Sequence, residues 1–240
     1  MQQSTIDQIK SALLALADQK KKSGELARFF QAYPGGYGEG DTFLGVKVPH
    51  QREVAKKYYQ TISLDEIALL LNENIHEHRL TALFMLVLKY QKSKKEEDKK
   101  AVVETYLANI SGVNNWDLVD SSCYFILGPW LMERHKKLLY DYAASGELWL
   151  QRIAMITTMH FIRNRHYDDA LRLAEILLNH PHDLIHKAVG WMLREIGNRD
   201  YTVEYRFLLK HYRQMPRTML RYAIEKFDEP VRQKFLKGEL

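Results

Sequence analysis

Apolar residues return every three or four positions along nearly the whole 240-residue chain, and only six prolines and twelve glycines interrupt them. That spacing keeps one stripe of a 3.6-residue helix apolar, and no Val/Ile/Thr-rich alternating run between turns marks a strand. Ile67, Leu70 and Leu71, then Leu83, Leu86, Val87 and Tyr90, are the clearest cases. The fold class predicted is all-α. Turn signals at Ser23-Gly24, Pro34-Gly35-Gly36, Ser145-Gly146 and Gly197-Asn198 separate helices of about 12 to 18 residues, with Pro49, Pro181 and Pro216 in first helical turns.

A recurrence overlies this periodicity. Arg79-Leu80-Thr81-Ala82-Leu83, Arg152-Ile153-Ala154-Met155-Ile156 and Lys187-Ala188-Val189-Gly190-Trp191 each place a basic residue before apolar or small ones, and Trp116 and Arg221 fall near the same phase. Steps of roughly 34 to 37 residues lie slightly below the period of HEAT-type two-helix repeats. The expected architecture is a curved solenoid of such pairs forming a single domain, residues 1–240, whose equivalent helices line one face.

Composition narrows the class. Hydrophobic residues make up 46% and charged residues 27%, too much apolar material for a disordered chain. No stretch approaches the roughly 20 uncharged apolar residues of a membrane helix, and MQQSTIDQIK lacks the pattern of an export signal. One cysteine, Cys123, excludes an internal disulfide and a Cys-based zinc site, so a soluble cytoplasmic monomer is expected. Thirty-five Lys and Arg stand against thirty Asp and Glu. Residues 186–240 hold twelve and seven of these, and subtraction leaves 23 of each sign before them. The whole excess of +5 is therefore C-terminal, which suits a polyanion such as nucleic acid or a surface kept soluble by lysines.

The segment Asn114-Asn115-Trp116-Asp117-Leu118-Val119-Asp120 opens a helix, with an Asn capping free amides and Asp117 complementing the dipole. Asp120 differs. It lies one turn past Trp116 and takes the slot filled by Leu83, Ile156 and Trp191 in the recurrence, so a carboxylate has replaced an apolar side chain. It is either a functional acid or a surface Asp paired with an Arg. Trp116 also belongs to an apolar stripe with Val119, Cys123, Ile126 and Trp130, which reads equally as core. Arg152, Lys187, Trp191 and Arg194 stand on the matching helices, with Lys187, Trp191 and Arg194 close to one face. Cations around indoles can hold phosphates and stack a sugar or base, or can be arginines snorkelling over core tryptophans.

Other constellations are poorer. His182 and His186 lack the glutamate of a metalloprotease motif and a third ligand, so no metal and no cofactor are expected. The glycine-rich stretch 34–41 follows a helix and lacks the Gly-Lys-Ser/Thr of a phosphate loop. Cys123 reads as a buried thiol, and Ser121 and Ser122 have no nucleophile elbow.

Residues 114–120, Trp149-Leu150-Gln151-Arg152 and Val189-Gly190-Trp191-Met192-Leu193-Arg194-Glu195 together resemble the bacterial DNA alkylation repair family of AlkD-like glycosylases, over nearly the whole chain. Residues 37–46 resemble the loop of one branch. The resemblance implies an all-helical HEAT-like solenoid that clasps duplex DNA in its concave face and removes cationic N3- and N7-alkylated purines. It implies Asp120 as the catalytic carboxylate, Trp116 and Trp191 as aromatic walls, and Arg152 and Arg194 as backbone contacts, with Phe29 also near DNA; Lys187, close to the same face as Trp191 and Arg194, is expected to bind DNA beside them. Two positions depart: Asn115 stands where the type member has a second aromatic residue, and Phe29 where it has a tyrosine.

The chemistry accords with these residue types. A cationic purine leaves as a neutral base and needs no general acid, while positive charge grows on the deoxyribose and an anionic oxygen lowers that barrier. Indole faces add cation attraction of about 0.5 to 2 kcal/mol each. The competing class is a non-catalytic HEAT-like scaffold binding DNA or protein on the same face. A metal-dependent nuclease would need more clustered acids than Asp117 and Asp120.

Overall fold

The computed structural model describes residues 4–18 and 23–240. The N-terminal sequence reading rests partly on residues 1–3, which lie outside these. Among the described residues there are fifteen α-helices and no strand, only an isolated parallel bridge between Thr42 and Ile75. The chain divides into two compact units, Met1–Ile126 and Leu127–Leu240. Among the described residues no helix is long and apolar enough to cross a membrane.

Unit 1 holds α1 (Thr5–Ala15), α2 (Ser23–Phe29), α3 (Val48–Tyr58), α4 (Leu64–Leu71), α5 (His76–Lys92), α6 (Glu96–Ala108) and α7 (Trp116–Asp120). Its central element is α5, whose residues 76–87 are all buried. A helix covered all round has to lie among others, and α1, α3, α4, α6 and α7 pack on it. The first turn of α4 is fixed by a capping box, in which Ser63 and Glu66 satisfy each other's backbone N–H groups. After α7 comes α8 (Cys123–Leu131).

Unit 2 continues with α9 (Lys137–Ala144), α10 (Leu148–Arg163), α11 (Asp168–Ile176), α12 (Asp183–Gly197), α13 (Tyr201–His211), α14 (Arg217–Ala223) and α15 (Glu229–Lys237). Here α10 is the covered helix, buried from Gln151 to Met159, with α9, α11 and α12 against it. Next, α12 packs on α13 and α14.

The recurrence read from sequence is borne out in chain order. Arg79, Trp116, Arg152, Lys187 and Arg221 fall in α5, α7, α10, α12 and α14, the second members of successive helix pairs. Helices α5, α6, α10 and α12 have the expected length, 17, 13, 16 and 15 residues, and the others are shorter, down to 5 residues in α7. Pro49 lies in the first turn of α3, whereas Pro181 and Pro216 precede α12 and α14. The largest departure is the stripe Trp116 to Trp130, which is not one helix. It breaks at Ser121-Ser122, where the buried Ser122 hydroxyl donates to the Leu118 carbonyl at 2.6 Å and meets the Tyr106 hydroxyl at 3.1 Å. A serine bonded to the carbonyl four residues back bends or ends a helix. Val119, Cys123 and Ile126 are still fully buried, as the stripe predicts.

One core residue works against stability. Glu204 on α13 is 2% exposed, its Oε1 has no hydrogen-bond partner among the described residues, and its carboxyl presses on Gly197, where any Cβ would collide with it. Burial pushes this carboxyl up to about 9, against the opposing charge of Arg194. Because the folded state holds the proton more tightly than the unfolded chain, ionisation opposes folding. The cost is absent below the unfolded value of 4.5 and grows as pH rises towards 9. Glu204→Gln is therefore expected to raise stability by about 1 to 3 kcal/mol near neutral pH and by little near pH 5. Denaturant unfolding at the two pH values checks this; equal effects at both would exclude an ionisation cost at Glu204.

Candidate functional site

In unit 1 a glycine-rich loop, a buried charge network and the short helix α7 meet. Phe29 ends α2 and Phe30 follows it, and residues 34–41 turn back on them: the Tyr37 hydroxyl donates to the Phe29 carbonyl at 3.1 Å. Only glycine fits this return at position 38, because a Cβ there would lie 2.3 Å from the Phe30 carbonyl oxygen. Next, the backbone of residues 44–46 wraps a carboxylate. Buried Glu77 accepts the N–H groups of Leu44, Gly45 and Val46 at 3.0, 2.8 and 3.3 Å, with Gly45 at a φ of 83°. Successive N–H groups converging on one anion form a nest, and a left-handed glycine makes that turn without strain.

His76, 2% exposed at the start of α5, joins the pieces. Its Nδ1–H donates to Asp41 at 3.0 Å and its Nε2–H to Asp117 at 2.8 Å, while the Arg79 guanidinium lies 2.6 Å from the other Asp41 oxygen. Burial alone would favour a neutral ring. The hydrogen bonds to Asp117 and Asp41, with their charges, outweigh it and push His76 up to about 9. Burial likewise opposes ionisation of Asp41, but His76 and Arg79 hold that carboxyl below its usual range. The network is therefore two cations alternating with two anions, which is how buried charge is tolerated.

On this base stands an aromatic column. Phe30 stacks on Phe43 at 5.4 Å, on His76 at 4.8 Å and on Trp116 at 5.4 Å, and Phe29 meets Trp116 edge-on at 5.8 Å. A pocket of about 480 Å³ opens among these rings, lined also by Lys47, Gln51, Glu77, Asp117 and Ser121. The Asn115 side chain caps α7 as the sequence predicts, its Oδ1 accepting the Trp116 N–H at 2.8 Å. Trp116 is half-buried. Asp120, at the other end of α7, is half-buried too, as is Trp191 in the equivalent slot, whereas Leu83 and Ile156 there are 0% exposed.

The remaining predicted residues belong to unit 2. Arg152 is buried, and its Nη1–H group donates to the Leu184 carbonyl in the first turn of α12. Lys187 pairs with Asp183 at 2.7 Å, and Arg194 pairs with Glu225 and lies 6.0 Å from the Tyr222 ring. Trp191 is half-buried, with its indole N–H 3.4 Å from Glu195. The acids of this unit thus engage several of the cations behind its positive excess. His182 and His186 serve the backbone: His182 Nδ1 accepts the Leu184 N–H, and His186 Nε2–H donates to the His180 carbonyl. Among the described residues no group of three His, Cys, Asp or Glu could hold a metal ion.

The sequence reading brought Trp116, Asp120 and Phe29 forward, took in Asp41 and Phe43 only as part of the 37–46 loop, and passed over His76, Glu77, Gln51 and Phe30. Asp117, read as a dipole complement, is the partner of His76. The partners of His76 lie 35 and 41 residues away, so no local spacing announces them.

Residues 9–227 match the family model for DNA alkylation repair enzymes. The chain belongs to the DNA alkylation repair enzyme family, whose substrate is DNA. Its fold is shared by a solved structure described as a predicted DNA alkylation repair enzyme from Enterococcus faecalis, with a TM-score of 0.69 at 13% identity, covering 90% of this chain and 99% of that one. No curated protein matches the chain.

The His76 network carries a pH signature. Stabilisation by the protonated ring is complete below pH 6.5 and is lost as pH rises through about 9. His76→Gln should therefore cost about 2 to 4 kcal/mol at pH 6, since it strands two buried carboxylates, and much less above pH 9. Thermal unfolding of both proteins across that window checks this. Parallel curves would show that His76 is not charged in the folded state.

Proposed function

We propose that this protein is a monofunctional DNA glycosylase that hydrolyses the N-glycosidic bond of cationic N3- and N7-alkylated purines in duplex DNA. One observation carries the reading: an acid, Asp120, stands half-exposed one turn from the Trp116 ring, at a helix position whose counterparts are all apolar, Leu83 and Ile156 fully buried and Trp191 half-buried.

In the proposed reaction the alkylated purine carries the positive charge and departs with the bonding electrons as a neutral base. The deoxyribose becomes cationic at C1′. The Asp120 carboxylate stabilises that charge and orients the water that adds to C1′, whose proton passes to solvent. The Trp116 face attracts the cationic lesion and the cationic sugar more than a neutral nucleotide, so selectivity follows from charge. Such a lesion needs no proton from the enzyme, which fits the lack of an acid catalyst in this assignment. In unit 2, Trp191 offers a second aromatic face, and Lys187 and Arg194 exchange Asp183 and Glu225 for DNA phosphates. Arg152, held against α12, adds its charge from beneath and keeps that helix in place. Phe29, 61% exposed, is the ring of unit 1 most open to DNA.

The reading predicts that the protein releases N7-methylguanine from methylated duplex DNA. Asp120→Asn should slow release by at least about a hundredfold with DNA affinity kept. Chromatography of the freed base and a gel-shift titration measure the two quantities. If the variant is as fast as the parent, Asp120 has no part in the chemistry, and if neither releases base, the non-catalytic DNA-binding reading replaces this one.

A second test concerns Arg194→Ala, which should weaken binding and lower the slope of log affinity against log salt by about 1. An unaltered slope would place the phosphates away from Arg194.

A further inference from the structure

We propose that Arg52 and Lys56 on α3 form a clamp for one phosphate of the DNA strand that passes Asp120. The proposal rests on the reading of this protein as acting on DNA, and it gives unit 1 a grip on the backbone that the distribution of charge along the sequence does not announce.

The excess of basic residues is C-terminal, but in unit 2 counter-charges are already in place. Lys187 pairs with Asp183, Arg194 pairs with Glu225, and Arg152 donates to the Leu184 carbonyl. A phosphate has to compete with these partners. Arg52 and Lys56 are in the opposite condition. Both are exposed, they stand four residues apart on one face of α3, and among the described residues neither makes an ion pair or a hydrogen bond.

Arg52 is nonetheless held in place. Its guanidinium carbon lies 4.0 Å from the centroid of the Phe84 ring, and Phe84 is 3% exposed on α5, the covered helix of this unit. Stacking on a ring engages the flat face of a guanidinium and leaves its in-plane N–H groups available to an acceptor. Side-chain freedom is thus restricted before any ligand arrives, which lowers the entropy cost of binding.

The surroundings define the ligand. Arg52 and Lys56 line a hollow of about 210 Å³ together with Phe84, Gln91, Ser121 and Phe125, and no acid lines it. Its polar groups are two cations, an amide and a hydroxyl, all able to donate to an anion that offers several oxygens. Size decides between a free nucleotide and a polymer. The hollow is smaller than the roughly 300 to 1,000 Å³ of pockets that enclose a whole small molecule, so it suits one phosphate of a chain that continues beyond it. The rings of Phe84 and Phe125 offer apolar surface to the adjoining deoxyribose carbons.

Position connects the hollow to the proposed chemistry. Ser121 directly follows Asp120 at the end of α7 and borders both this hollow and the aromatic pocket. His76 holds α7 through Asp117, so the contact that places Asp120 also places one wall of the hollow. A strand whose phosphate sits between Arg52 and Lys56 therefore passes the end of α7 that bears the acid. A carboxylate there repels the backbone it acts on, and two uncommitted cations nearby offset that repulsion.

The test is fluorescence anisotropy of the intact protein with a duplex carrying a stable tetrahydrofuran abasic site, across a range of salt. Methionine keeps an apolar stem without the charge. Arg52→Met and Lys56→Met should each lower the slope of log affinity against log salt by about 1, and the pair by about 2, with the helical circular dichroism kept. Arg52→Lys should keep the slope. An unchanged slope in the double variant would overturn the proposal, as would a parent protein that does not bind. A second arm replaces, one at a time, the two phosphates flanking the abasic site by neutral methylphosphonates. At one of them the parent should lose about tenfold in affinity and Arg52→Met less than about twofold, the coupling expected of groups in contact. Equal losses for the two proteins at both positions would take the clamp away from Asp120 and overturn it. Neither arm needs a base to be released, so the two readings fail separately. Base release with an unaltered slope would fault the clamp, and the expected slopes without base release by the parent would fault the glycosylase.

Discussion

A charged histidine sealed between two aspartates organises unit 1. Without His76, Asp41 and Asp117 would be two carboxylates facing each other in a place where water cannot screen them. With it, the loop bearing Asp41, the start of α5 and the short helix α7 are drawn to a common point. Everything proposed for this unit is built on that junction: Phe30 and Phe43 stack on the same imidazole, Trp116 stacks on Phe30, and Asp120 rides on the helix whose second residue His76 grips. Polar and aromatic contacts here are mutually dependent, because the ring that bridges the acids is also the floor of the column.

The glycine-rich stretch acquires a purpose in this setting. It resembles a phosphate cradle only in composition, since its close approaches are to the protein's own backbone. Gly38 lets the chain pass over the Phe30 carbonyl, and the nearby N–H groups of residues 44–46 converge on the side chain of Glu77. An internal anion occupies the place that a phosphate takes in nucleotide-binding loops, and the loop is thereby a support for aromatic residues.

Much of the architecture could be read from the chain alone. The three-and-four spacing gave the helical class, and the recurrence from Arg79 to Arg221 picked out the second helix of each pair, because packing one face repeatedly imposes the same residue types at the same phase. Arg79 and Arg152, equivalent in that phase, turn out to be buried and tied to acceptors, Asp41 and the Leu184 carbonyl. A basic residue in a repeat can thus be a tie within the protein as readily as a contact for DNA, and sequence spacing is blind to the difference. The unequal environment of Asp120 was legible as a polar residue in an apolar slot. The partners of His76 were not, since their nearness is created by the return of residues 34–46 and has no periodic trace. Nor was the interruption at Ser121-Ser122, where apolar periodicity continues through a break made by a side-chain hydroxyl.

That interruption has a mechanical consequence. Asp120 is carried on little more than one helical turn, pinned at its head by His76 through Asp117 and just past its tail by Ser122 through Tyr106. A side chain at the same point of a long continuous rod would shift whenever the rod bent or twisted. Set on a stub anchored on both sides, it is tied to His76 and Tyr106 rather than to the helices that follow, so its place is set by the packing around α7 alone.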